Sequence, residues 1–355
     1  MKILITGGAG FIGRHLARLL AASGHAVTAM DTMLPQVHQD VDGDRAAFPG
    51  GLIEADVAES GSWDDLPVHD AIVHLAAETG TAQSMYEQDR YRRVNVRGTK
   101  LAAETAVSWG APIVFLSSRA VYGEGRRLDF PRPSLPGIFD TGPDGTLRPS
   151  HEEDAHAPLS VYGESKSEAE NALRGVVLGR VPSVVLRPQN VIGPGQALHN
   201  PYTGVLAAFV AMLKEGADLT VYGDGTQTRD FVHVEDVARL IMWNLDNLPG
   251  VLEDPRVLNC GTGVRTTLDD VARYCIDAAP GVETEIKHVD IKRAGDIDHA
   301  CADLRHVLRT GAPMPMWTTE DAIADFVRDS WDKQGAAVSA WSTALSELTS
   351  RGLTE

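Results

Sequence analysis

MKILITGGAGFIG, residues 1–13, is the stretch whose reading decides the fold. Lys2 to Thr6 is a compact apolar run, too short for a helix and apolar at consecutive positions. That is the mark of a strand buried on both faces, as strands are inside a parallel sheet. Glycines follow, at Gly7, Gly8, Gly10 and Gly13. Ile12, Leu16, Leu19 and Leu20 then recur at helical spacing through Ser23, and Gly24 stops the helix. A strand, a glycine turn and a helix in that order predict the first unit of an alternating β/α chain.

The same rhythm continues outward. Ala26 to Met30 reads as a second strand ending at Asp31, and further apolar strands are expected at Ala71–Leu75, Ile113–Leu116 and Val184–Leu186. Helical segments are expected near Tyr86–Trp109 and Val161–Leu178. Strands alternating with helices predict an α/β fold with a doubly wound parallel sheet. Gly123–Pro158 breaks the alternation with Pro, Gly and little periodicity; a lid over a site and a plain surface insertion fit it equally. After Arg187 the elements shorten, which is where a smaller substrate lobe is expected. The expected division is 1–186 with about 231–260 as the nucleotide-binding domain, 187–230 and 261–330 as the lobe, and 331–355 as a helical tail. In Ala336–Leu353, Val338, Trp341, Leu345 and Leu348 share one helical face, which predicts a terminal helix packed on the body or on a second subunit.

Composition narrows the function classes. The chain has 355 residues and a formal net charge of -17, which repels phosphate backbones and argues against nucleic acid as a partner. Its three cysteines, Cys260, Cys275 and Cys301, fit neither a zinc site nor a disulfide framework, so no metal is expected and a reducing cytoplasm is the simplest location. The N-terminus lacks the apolar region of a signal peptide, and no stretch reaches the length of a membrane span.

Gly7-x-x-Gly10-x-x-Gly13 lets the backbone approach a pyrophosphate, and the helix that follows presents free N–H groups and the positive end of its dipole. Alone the pattern is weak; the strand before it and the helix after it supply the context. Asp31, ending the next strand, is expected to accept hydrogen bonds from ribose hydroxyls and to repel a 2′-phosphate, with no basic residue beside it. NAD is therefore the expected cofactor. Asp56 and Val57, after the third short strand, are expected at the adenine ring.

Tyr162-x-x-x-Lys166 lies on a predicted helix, with both side chains on one face. Ser117 and Ser118 follow the strand Ile113–Leu116 at the end where open α/β sheets bind ligands. Tyrosine ionises near pH 10, so a base working near neutrality needs about 4 kcal/mol of help from neighbouring positive charge. Lys166 and the nicotinamide are expected to supply it. In this reading Tyr162 takes the proton of a substrate hydroxyl while hydride leaves the same carbon, and Ser118 hydrogen-bonds the reacting oxygen.

TGGAGFIG, HLAAETG, SSRAVYG, YGESK, RPQNVIGPG and TRDFVHVEDVA together resemble the extended short-chain dehydrogenases, the NAD-dependent epimerase/dehydratase family, from residue 3 to about 330. The resemblance implies a Rossmann sheet, bound NAD, a nucleotide-diphosphate sugar as substrate, and a homodimer. It implies that Ser118, Tyr162 and Lys166 are the catalytic trio, and that Phe11, Ile12, Leu75, Ala76, Ala77 and Asn95 join the glycines at the cofactor, Asn95 by bracing the backbone. It implies substrate contacts from Thr79, Ser84, Ser118, Arg119, Asn190, Val205, Arg229, Arg293 and Asp296, with Arg229 and Arg293 on the diphosphate, Asn190 at the diphosphate region and Asp296 on the ribose. Dehydratases of the family carry an Asp-Glu pair after the active-site Thr or Ser; here Arg119 and Ala120 stand there, so 4-epimerisation or oxidative decarboxylation remains.

Within the family, PQVH at 35–38, HLAAETGTAQSMYE at 74–87, SSRAVYGEG at 117–125 and HNPYTGVL at 199–206 resemble the dTDP-L-rhamnose 4-epimerase subgroup, which interconverts that sugar and dTDP-6-deoxy-L-talose. The other readings are a UDP-hexose 4-epimerase, a UDP-glucuronate decarboxylase, a 4-keto-sugar reductase that releases its cofactor, and a cofactor sensor without activity, which would have no need of the trio.

Overall fold

The computed structural model describes residues 1–35, 37–38, 40–124, 148–198, 204–251, 253–291 and 295–354. Most of the Gly123–Pro158 excursion, the start of the segment at 199–206 and Arg293 lie outside the described residues.

Seven strands form the central sheet: β1 (Lys2–Thr6), β2 (Ala26–Asp31), β3 (Gly51–Glu54), β4 (Ala71–His74), β5 (Ile113–Leu116), β6 (Ser183–Pro188) and β7 (Arg256–Cys260), in the order β7-β6-β5-β4-β1-β2-β3. All the pairings are parallel, with Lys2 opposite Ala26 and Ile3 opposite Ala71. Ile3, Leu4 and Ile5 are fully buried because helices cover both faces. On one face the helices Phe11–Ala22 and Val234–Asp246 pack through Leu16, Leu20, Val237 and Ile241. On the other, Gly98–Trp109 and Val161–Val177 pack through Ala102, Ala106, Ala169 and Leu173. The chain leaves β1 toward β2 and β3, then returns to place β4 on β1's other side. The loops after β1 and β4 therefore part from each other at a switch point, which opens a crevice at the carboxyl ends of the strands.

A separate apolar core, with Leu206, Phe209, Phe231, Val271 and Phe326, lies outside the sheet. It is built from helices Val205–Lys214, Leu268–Ala278 and Thr319–Trp331 and from the parallel pair Leu219–Tyr222 and Ile286–Val289. The terminal helix Val338–Ser350 forms as expected, and Trp341 packs against this core.

The expected helix Tyr86–Trp109 is divided. Gln88–Tyr91 is α-helical, Arg92–Arg97 is a π-turn, and Gly98–Trp109 resumes the α-helix. Such turns interrupt helices where a side chain has to be re-aimed; here the turn carries Asn95. The three cysteines are buried. Among the described residues no helix is long and apolar enough to cross a membrane, and no cluster of His, Cys, Asp or Glu has the makings of a metal site.

Candidate active site

The crevice holds a cavity of about 790 Å³ that runs from the glycine loop to the second core. Gly7, Gly10, Phe11, Ile12 and Gly13 line one end, together with Asp31, Asp56, Val57, Leu75, Ala76 and Ala77. Ser118, Tyr162 and Lys166 line its middle, and Thr79, Arg119, Asn190 and Val205 also face it.

The glycine end fits a dinucleotide. The helix Phe11–Ala22 begins at Gly10 with no side-chain cap and no acidic residue in its first turn, so its positive end is left open to an anion. The Asp31 carboxylate is held at the tip of β2 by the N–H groups of Ala9 and Met33, each donating at 3.1 Å. One expectation fails here. A basic residue does stand beside Asp31: His38 Nε2 lies 3.6 Å from Asp31 Oδ1, and His38 Nδ1 lies 2.8 Å from Asp44 Oδ2. Burial would lower that imidazole, but the two carboxylates outweigh it and hold its pKa above the usual value. The aperiodic chain between Asp31 and His38 carried no signal of this fold-back. Asp56 accepts from Ala58 N at 2.8 Å and pairs with Arg93 at 2.8 Å.

Ser118, Tyr162 and Lys166, the candidate trio, converge through local chemistry. Ser160 caps the helix Val161–Val177 by accepting from Gly163 N at 3.1 Å. Gly163 lets that helix approach the Arg119–Tyr122 turn, since a Cβ there would lie 2.6 Å from Ala120 O. Ser118 caps this turn from β5, accepting from Ala120 N at 3.1 Å, and lines the cavity together with Tyr162. Lys166 Nζ donates to Leu116 O at 2.9 Å and sits 5.0 Å above the Phe115 ring. Burial, only partly offset by Glu170, lowers its pKa to about 7.

Tyr162 behaves differently from the expectation. Burial pushes its pKa above the usual value, and the Ser118 hydroxyl and the Arg119 charge offset only part of that. The protein's own groups therefore favour the protonated phenol.

Asn95 does not line the cavity. From the π-turn it accepts from Glu78 N at 2.8 Å and donates to Glu78 O and Ser165 Oγ at 3.1 and 2.9 Å, tying the β4 loop to the catalytic helix. Ser84 is fully buried and also outside the lining. Its hydroxyl donates to Thr81 O at 2.6 Å and accepts from Tyr162 N at 3.0 Å, so it holds the start of the catalytic helix. Arg229 is outside the lining and donates to Ile297 O at 2.7 Å and Thr228 O at 2.9 Å. Asp296 is also outside the lining, but its charge and that of Arg229 both act on Arg119, whose pKa burial lowers to about 10.

Sequence reasoning missed a buried network below the trio. Arg187 forks onto Glu170 through Nε at 3.0 Å and a terminal nitrogen at 2.7 Å. It also donates to Tyr122 Oη at 2.9 Å and to Glu152 O at 3.0 Å. Ser117 donates to Glu170 at 2.5 Å. Glu170 stands one helical turn beyond Lys166, a spacing that hinted at a shared face.

Comparison with known proteins agrees with this geometry. The model of the NAD dependent epimerase/dehydratase family matches residues 3–261. The chain is 37% identical over 343 residues to the dTDP-L-rhamnose 4-epimerase of Burkholderia thailandensis, covering 91% of this chain and 93% of that one. The UDP-glucose 4-epimerase of Thermotoga maritima, solved with UDP-glucose, superposes with a TM-score of 0.76 at 26% identity, over 93% of this chain and 98% of the other. The Thermus thermophilus UDP-glucose 4-epimerase, solved with NAD, gives 0.76 at 26% identity, over 94% and 100% of the two chains.

Proposed function

The chain belongs to the NAD-dependent epimerase/dehydratase family, and from that premise we propose that it is a nucleotide-sugar 4-epimerase interconverting dTDP-L-rhamnose and dTDP-6-deoxy-L-talose. It is an NAD-dependent enzyme of the nucleotide-sugar 4-epimerase type; the sugar pair is the finer assignment.

The observation that carries the reading is the site itself. A Ser–Tyr–Lys trio faces the cavity, and a cation, Arg119, follows Ser118 where a dehydratase needs carboxylates for a second proton transfer. Chemistry at one carbon is what this set supports. When bound at the glycine loop, NAD supplies a reversible hydride acceptor. Ser118 orients the C4 oxygen, and Tyr162 removes its proton and later returns one to the other epimer. Lys166, one helical turn from Tyr162, is anchored on Leu116 O and presents its remaining N–H groups to the cavity. Arg119, Arg229, Arg293 and Asn190 are proposed to hold the diphosphate, and Asp296 is proposed at the nucleoside ribose. Val191, Ile192 and Val205 line the cavity as an apolar wall suited to the methyl group of a 6-deoxy sugar. A homodimer in the cytoplasm completes the proposal.

Incubation of the purified protein with dTDP-L-rhamnose, without added cofactor, tests the assignment. Proton NMR should show a mixture of the two C4 epimers, reached from either side. An unchanged dTDP-L-rhamnose beside converted UDP-glucose or UDP-glucuronate would move the substrate to a UDP-sugar.

A further inference from the structure

His38, the last residue of PQVH, has no task in the chemistry described so far. It lines the glycine end of the cavity beside Asp31. The chain folds back after β2 and buries this residue to 2% exposure. Its Nδ1 is fixed at 2.8 Å from Asp44 Oδ2, in the helix Val41–Ala47. Asp44 also pairs with Arg14 of the helix Phe11–Ala22, and Arg14 donates to Gly195 O at 3.1 Å. The imidazole is therefore held in place, with Nε2 at 3.6 Å from Asp31 Oδ1. That is too long for a hydrogen bond and short enough for a charge on the ring to act on the carboxylate.

Asp31 is the carboxylate expected to meet the adenosine ribose and to repel a 2′-phosphate. How strongly it repels depends on the charge beside it. Among the described residues, the charged groups around the imidazole are Asp31 and Asp44, with Arg14 behind Asp44. With the ring protonated, two carboxylates meet two cations and the group is neutral. With the ring neutral, one negative charge is left over; Arg14 is engaged with Asp44, so that charge falls on Asp31. The two carboxylates hold the imidazole pKa above its usual value. The cation therefore persists to higher pH than on a free histidine and is lost as pH rises further.

We infer that His38 is a specificity-determining residue for the cofactor: held by Asp44, it tunes the charge with which Asp31 rejects a 2′-phosphate. The inference rests on the placement of the cofactor ribose at Asp31 and not on the identity of the sugar. Protonated His38 weakens the rejection, and neutral His38 restores it. Selectivity for NAD over NADP therefore rises with pH. A ribose hydroxyl carries no charge, so binding of NAD itself changes little.

The test equilibrates the holoenzyme with an excess of NAD and NADP in fixed ratio, desalts and denatures it, and quantifies the released cofactors by chromatography. The comparison runs between about pH 7 and 9, where a 2′-phosphate keeps both charges. In the wild type the ratio of bound NADP to bound NAD should fall by about tenfold across that range. His38→Gln should hold the ratio flat, at the low value that the wild type reaches at high pH. Asp44→Asn removes one of the two carboxylates that stabilise the cation, so its fall should move to lower pH; this variant carries the test if His38→Gln does not fold. A flat wild-type ratio, an equal fall in His38→Gln, or an unmoved fall in Asp44→Asn overturns the inference. Asp31→Asn separates the inference from its premise, because it should raise the NADP share at every pH. An unchanged share in Asp31→Asn means that the ribose is not at Asp31, and the premise and the inference fall together. A raised share in Asp31→Asn beside a flat wild type leaves the premise standing and overturns the role of His38 alone.

Discussion

Tyr162→Phe should lower turnover by about 10²–10⁴-fold while changing affinity for the nucleotide sugar only a few fold. The variant removes the single phenolic oxygen and keeps the ring, which stands 6.4 Å from the Tyr91 ring in an edge contact. Lys166 still donates to Leu116 O, because that bond does not involve the phenol. Binding should therefore survive. Turnover measured beside calorimetric affinity separates the two; a variant that keeps more than about a third of the rate would remove Tyr162 from the role of base. Ser118→Ala should lose less, because it deletes one hydrogen bond and not the proton acceptor.

The second large effect concerns stability. Arg187→Met should destabilise the fold by about 3–5 kcal/mol, because it strands the Glu170 carboxylate in the interior. Side chains of both residues are nearly fully buried, at 5% and 8% exposure, and the pair is bidentate. Around Glu170 the Ser117 hydroxyl, Lys166 one helical turn away and His156 would remain, but burial lowers the pKa of both Lys166 and His156, so each is a poor replacement for the guanidinium. The double variant Arg187→Met with Glu170→Met removes both charges and should recover most of the loss. Urea unfolding of the three proteins checks this. A single variant that loses less than about 1 kcal/mol would mean that the pair does not hold the end of β6 against the catalytic helix.

The parts legible in the sequence are those whose signal is local. Lys2–Thr6 reads as a strand because its apolar residues are consecutive, and Tyr162 and Lys166 read as a pair because an α-helix stacks positions four apart. The divided helix was not legible: apolar residues continue through Arg92–Arg97 at near-helical spacing, and the extra residue of a π-turn leaves no compositional mark. His38 was missed for another reason. A histidine between two carboxylates is defined by a fold-back that brings Asp31 and Asp44 to either side of it. The second core was only outlined, because its strands, such as Leu219–Tyr222, pair with segments more than sixty residues away. Ser84 shows the limit of carrying roles by resemblance, since its hydroxyl is spent on Thr81 and on the backbone of Tyr162.

The proposed epimerisation oxidises one carbon, C4, and reduces it again with the same hydride. dTDP-L-rhamnose carrying deuterium at C4, incubated in ordinary water without added cofactor, tests this most directly. The account predicts that both C4 epimers accumulate with the deuterium retained at C4 and that none appears in solvent. Epimers that form with the C4 label lost to water, or only when cofactor is continuously supplied, would contradict it.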